Sequence, residues 1–176
     1  MRNTARHTVL FVVAAVIALA CSAEVFSEYG GGRRPESDAA SPIYGVMIPQ
    51  RYRQWELIAP AQEAEPLNEL RAVLGNSVAI KAYMKGKLPF PDGTVLAKLA
   101  WQHAQSPEFE AASVPGAATT LQIMIKDSKK YSATGGWGFG RFVNGRPADK
   151  AQHQTCFGCH EGRVKAHDFV FTRFAP

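Results

Sequence analysis

Three residues near the C-terminal end have the types and spacing for metal chemistry: Cys156, Cys159 and His160, within Cys156-Phe157-Gly158-Cys159-His160. Two thiols three positions apart share one helical turn, so each can add to a vinyl group on the same edge of a porphyrin. The imidazole that follows then lies under the ring and can give a nitrogen to iron. This C-x-x-C-H spacing is the attachment pattern of a c-type haem. A proximal histidine is one of the main controls a protein has over haem iron. Two other chemistries use paired cysteines. Structural zinc takes four ligands, usually as two spaced pairs, and the chain has neither a second C-x-x-C nor an H-x3-H partner. A thioredoxin-type pair follows a strand in a βαβ unit, whereas this pair sits near the chain's end. The expectation is one covalent haem c, joined at Cys156 and Cys159, with His160 on the metal.

The N-terminal residues bear on where such a cofactor is loaded. The chain has 176 residues, enough for one domain. Arg2, Arg6 and His7 precede an apolar run of twelve residues, Val9 to Ala20, and small residues follow. That is the layout of a secretory signal, and it is too short for a membrane span. Residues 1–23 therefore read as a signal peptide, cut after Ala20 or after Ala23. A cut just before Cys21 would let that thiol carry a lipid anchor, although Ala18 and Leu19 make a poor lipobox; otherwise Cys21 leaves with the signal. In both cases the folded domain keeps only Cys156 and Cys159 and needs no structural disulfide. Bacterial periplasm, or its membrane surface, is the expected location. Lys and Arg number 20 and Asp and Glu 15, and losing Arg2 and Arg6 leaves a mild excess of roughly +3. Without a basic stripe interleaved with aromatics, nucleic acid is not an expected partner. A weak positive surface suits docking to an acidic redox protein.

The elements that must hold the motif are legible in part. Residues 24–41, with Gly30-Gly31-Gly32 and Pro35, read as a flexible tether, and residues 42–176 as the cofactor domain. Ile43 to Ile48 and Tyr52 to Leu57 are short apolar–polar stretches around Pro49. Leu67 to Leu74 alternates as a strand does. Gly75-Asn76 ends it, and Asn76 can cap a helix running to about Met84. Pro89 to Gly93 is a turn. Thr94 to Trp101 is apolar on both faces, a central strand, in which Lys98 stands out. Glu108 to Ala118 reads as loop, Thr119 to Ile125 and Trp137 to Val143 as strands, and Asp168 to Phe174 as a C-terminal strand. Lys126 to Thr134 is a polar connection. Gly135, Gly136, Gly138 and Gly140 suggest close approach of another group, a haem face being one candidate. The fold class is α+β: a mostly antiparallel sheet with a few helices.

Several segments, in order, resemble one family: Tyr52-Arg53-x-Trp55, Phe90-Pro91-Asp92-Gly93-Thr94-Val95-x-x-Lys98, Lys126-Asp127-Ser128-Lys129, Gly136-Trp137, the C-terminal haem motif, and Asp168-Phe169-Val170-Phe171-Thr172-Arg173-Phe174. The set is similar to cytochrome P-460 and cytochrome c′-beta, from about Pro49 to Phe174. The resemblance implies a β-rich, usually dimeric domain with one five-coordinate c haem, His160 proximal, and an open side facing small nitrogen species. P-460-like members oxidise hydroxylamine and bind nitric oxide; c′-beta-like members bind gases without clear turnover. The resemblance also implies a lysine bonded to the porphyrin edge, and Lys98 matches it. Burial in an apolar strand would populate the free amine that such a bond needs; the plainer reading is that Lys98 reaches solvent or pairs with an acid.

A hydroxylamine oxidase benefits from a distal base. The resemblance implies a carboxylate just before the haem motif, where this chain has Ala151. Asp149 or His153 could substitute, and Gln122 is a polar candidate from a neighbouring strand. Arg71 suits a haem propionate, because guanidinium matches carboxylate. His103 reads as a surface histidine at a strand end and His167 as proximal. Met47, Met84 and Met124 could be axial but methionine is more often core filler. Phe90, Phe139, Phe142 and Trp137 could wall a dry distal pocket.

Overall fold

The computed structural model describes residues 39–175; the signal, the lipid-anchor site at Cys21 and all but the last residues of the tether lie outside them. Six strands form one antiparallel sheet in chain order: β1 (Glu56–Glu63), β2 (Glu69–Gly75), β3 (Val95–Gln105), β4 (Ser113–Lys126), β5 (Trp137–Val143) and β6 (Arg146–Pro147). Helix α1 (Ser77–Met84) follows β2, and α2 (Lys150–Val164) follows β6. The fold is α+β and mostly antiparallel sheet, as its alternating segments and turn residues require.

Local chemistry explains the α1 corner. The Asn76 side chain accepts from the Ala79 amide at 3.0 Å and the Val95 amide at 3.2 Å, and donates to the Gly93 carbonyl at 2.8 Å. One side chain thus caps α1 and ties it to the turn before β3. Gly75 lets the helix fold back tightly: a Cβ there would lie 2.7 Å from Ile58 Cδ1 and 2.9 Å from Ala79 Cβ. Ile58, Ile123, Phe142 and Trp137 are essentially fully buried in the core, the isoleucine and phenylalanine side chains each worth about 1.5–3 kcal/mol when removed from water.

Four segments differ from the sequence expectation. Residues Ser113–Ala118 are strand, not loop, because β4 pairs along a β3 that runs on to Gln105. Pro115 and Gly116 are tolerated there since the register shifts around Trp101, and a Cβ on Gly116 would crowd the Gln102 carbonyl at 3.2 Å. The stretch ending at Leu57 is the start of a longer edge strand, β1, which carries Pro60 where an edge permits it. Asp168 to Phe174 is not a strand. Asp168 (φ 49°) and Phe169 (φ 63°) are left-handed, and the tail beyond them drapes over the domain, joined by Ala175 N–H to the Ile58 carbonyl at 3.0 Å and by the Tyr83 hydroxyl to the Thr172 carbonyl at 3.1 Å. Its alternation arises because Val170 is buried while Phe171 is half exposed. The β5 glycines admit the protein's own groups rather than a cofactor face: a Cβ at Gly138 would strike the Tyr131 ring, and one at Gly140 would meet the Phe142 ring at 2.7 Å.

Candidate functional site

Helix α2 brings the motif to the sheet. Asp149 caps it, accepting from the Gln152 amide at 2.8 Å. His153, one turn in, is fully buried. Its Nε2 accepts from the Arg141 amide at 3.0 Å, so Nδ1 carries the proton and donates to the Asp149 carbonyl at 2.8 Å. The imidazole therefore pins α2 to β5. Cys156, three residues on, lies on the same face and is half-buried; Cys159 is exposed, and both are free thiols. Burial pushes the Cys156 thiol pKa up, with Arg141 acting against it.

His160 is the next residue on that face. Its Nδ1 lies 2.7 Å from the Phe169 carbonyl. A carbonyl only accepts, so Nδ1 is the protonated nitrogen and Nε2 keeps a bare lone pair. The ring is held between Phe139 and Phe171, each with its centroid 4.9 Å away. Burial holds the His160 pKa below its usual value, the Phe169 bond opposes this, and Lys98 adds to it. This is the arrangement of a metal-ligating histidine, in which the second nitrogen's hydrogen bond fixes tautomer and orientation.

The sheet face opposite carries charge. Val73, Lys98, Gln122 and Arg141 form one transverse row across β2 to β5. Leu96, Met124 and Phe139 form the next row on the same face, about 7 Å along the strands. Lys98 is thus two residues from the row that touches His160. Burial, then Arg71 and Arg141, bring its pKa down to about 8, against the pull of Glu69 and Cys156.

Other sequence candidates take different places. Arg71 is occupied: its Nε and Nη2 reach Glu69 Oε2 at 3.0 and 2.7 Å, and its Nη1 pairs with Glu63. Glu69 in turn accepts from the Thr119 hydroxyl at 2.6 Å. Arg71 is therefore built into a carboxylate network and not left free for a propionate. Asp149 and His153 are corrected as base candidates. One is an exposed cap, and the other has both nitrogens committed inside the fold. Gln122 is in the Lys98 row, where its amide donates weakly to Thr120 Oγ1 at 3.4 Å. The expected aromatic wall is also not assembled. Phe139 meets the site on the His160 side; Phe142 points to the other sheet face, and Phe90 and Trp137 pack on each other at 5.9 Å. His167 bonds the Val170 carbonyl through Nδ1 at 2.7 Å. His103 lies five residues along β3 from Lys98, and Met47 and Met84 are largely exposed.

Sequence reasoning overlooked Arg141. Its Nε is buried with no partner among the described residues. Lys98 and Arg141 share a row without a carboxylate of their own, because Glu63 and Glu69 serve Arg71. The signal was available: an arginine set between Gly140 and Phe142 in a strand of glycines and aromatics. Two cations without a direct carboxylate partner, two adjacent free thiols and the bare Nε2 of His160 fit a flat, iron-holding, doubly carboxylated macrocycle. Among the described residues no three His, Cys, Asp or Glu side chains cluster as a bare ion would need, so a metal on His160 takes its other ligands from elsewhere.

The family model Cytochrome P460 matches residues 49–172. The chain belongs to the Cytochrome P460 family. Membership implies a haem protein of the c type, and every residue placed above on α2 and on the charged sheet face falls inside the match. No match to a curated protein accompanies it.

Proposed function

We propose that this Cytochrome P460 protein is an exported, periplasmic cytochrome carrying one haem through thioether bonds at Cys156 and Cys159. His160 Nε2 holds the iron, and the opposite side stays open to hydroxylamine and nitric oxide. The group, when bound, supplies a redox-active metal with a vacant coordination position. One observation supports the reading most: Phe169 fixes His160 with Nε2 free on the face that carries Cys156, while His153 has both nitrogens committed to backbone groups, His167, held by a like Nδ1 bond, packs edge-on against Phe90, and His103 is remote along β3. No second imidazole among the described residues is poised to close the other side.

Lys98 is the residue we assign to the porphyrin-edge bond. With its pKa near 8, a sizeable fraction is the amine, the form able to bond a ring carbon. Before such a bond forms, or without one, the same amine is a base matched to neutral pH. Arg141 would balance a carboxylate, and Gln122 would hydrogen-bond a small polar ligand. Oxidation of hydroxylamine, with electrons leaving to a partner redox protein, is the first activity we assign; the working unit is a homodimer.

The placement of Asp149 and His153 favours a second reading, a nitric oxide-binding protein without turnover, because neither offers a distal base. Steady-state consumption of hydroxylamine with a dye acceptor separates them. Turnover supports the oxidase, and none between pH 6 and pH 10 leaves the gas binder.

A further inference from the structure

Lys126 and Asp168 lie apart from the Lys98 row and the thiol pair, yet they form the most buried charge pair among the described residues. Lys126, at the end of β4, is 6% exposed. Its Nζ meets Asp168 Oδ1 at 2.7 Å and Oδ2 at 2.9 Å, donates to the Gly135 carbonyl at 2.9 Å, and lies 5.0 Å over the Trp137 ring. Asp168 Oδ2 also accepts from the Phe90 amide at 2.8 Å. Both charges are fully met, which buried ions require.

The consequence falls one residue later. Asp168 and Phe169 are consecutive non-glycine residues at φ 49° and φ 63°, a left-handed conformation that crowds Cβ against the following carbonyl and is unfavourable for L-residues. Such a bend persists only where its surroundings over-determine it. Here the carboxylate of the first residue is clamped, and the ring of the second sits directly over Gly135, where no Cβ could fit. That same bend aims the Phe169 carbonyl at His160 Nδ1, 2.7 Å away.

We propose that the Lys126–Asp168 ion pair is a positioning device for the proximal imidazole, fixing the bend that holds the Phe169 carbonyl on His160 Nδ1. It rests on the haem reading above. By holding that bond short, the pair keeps His160 in the Nδ1–H tautomer and raises the donor strength of Nε2. Neither residue contacts His160 directly; they act through the Phe169 carbonyl.

The test uses full-length, haem-loaded protein and resonance Raman spectroscopy of the ferrous state, with the midpoint potential as a second readout. Asp168→Asn and Lys126→Met, the latter keeping an apolar stem over Trp137, are expected to shift the iron–histidine stretch to lower frequency and to raise the potential. Asp168→Glu, which keeps the charge, recovers the wild-type band at least in part. Asp92→Asn, which breaks the exposed Ser128 bonds on the neighbouring turn, leaves both readouts unchanged and controls for general destabilisation. Wild-type band and potential in both Asp168→Asn and Lys126→Met, with only a lower unfolding temperature, overturn the proposal and leave the pair a structural clip. An iron–histidine band missing from the wild-type protein overturns the haem reading itself, and this inference with it.

Discussion

Lys98 is the residue on which the proposed chemistry turns, and its buried environment gives it a pH signature. Its folded pKa, near 8, is depressed from the ordinary 10.5. Between those values the unfolded chain binds a proton that the folded chain does not, so stability rises as pH climbs from about 8 to about 10.5 and is flat below 8. The full effect is up to about 3 kcal/mol. Denaturant unfolding of the wild-type protein across that range should show the rise if Lys98 is a free amine, and Lys98→Met should lack it. A lysine bonded to the porphyrin shows no such rise. It would instead give a haem-joined peptide, by mass spectrometry, that disappears in Lys98→Ala. His153 makes a contrasting prediction. Replacing it with Phe leaves the Arg141 amide without its acceptor and should cost about 1–3 kcal/mol, measured as a lower unfolding midpoint. The pH profile of any hydroxylamine turnover should keep its shape; a lost limb would show that His153 is a base after all.

At the scale of elements, α2 is held by its first turn. Asp149→Ala removes the cap on the Gln152 amide and should cost about 1 kcal/mol, again by unfolding midpoint, with the ferrous spectrum unchanged. The elements were legible where local chemistry decides them. Asn76 announced α1, and the alternation of Leu70, Ala72 and Leu74 announced β2. They were illegible where pairing partners decide. Pro115 and Gly116 look like breakers until a bulged register on β3 accommodates them, and Asp168 to Phe174 alternates like a strand although the draped tail buries only Val170 and leaves Phe171 and Phe174 half exposed. The site divided the same way. Cys156, Cys159 and His160 carry their chemistry in their spacing. The Arg141 amide on His153 and the Phe169 carbonyl on His160 join backbone to side chain across 12 and 9 residues, and no residue type advertises such a bond.

For the whole molecule, export, cofactor and assembly must agree. The mature protein should have the mass of a chain that has lost its signal peptide and gained one haem, and light scattering should give two copies. A cation row on one sheet face and an immobilised imidazole on the helix above it make a single prediction about the metal: one side held, one side free. Carbon monoxide titration of the purified, dithionite-reduced protein, followed optically, tests it most directly. The account predicts a five-coordinate high-spin ferrous spectrum that converts on binding one carbon monoxide per chain. A colourless protein, or a six-coordinate low-spin spectrum that ignores the gas, contradicts it.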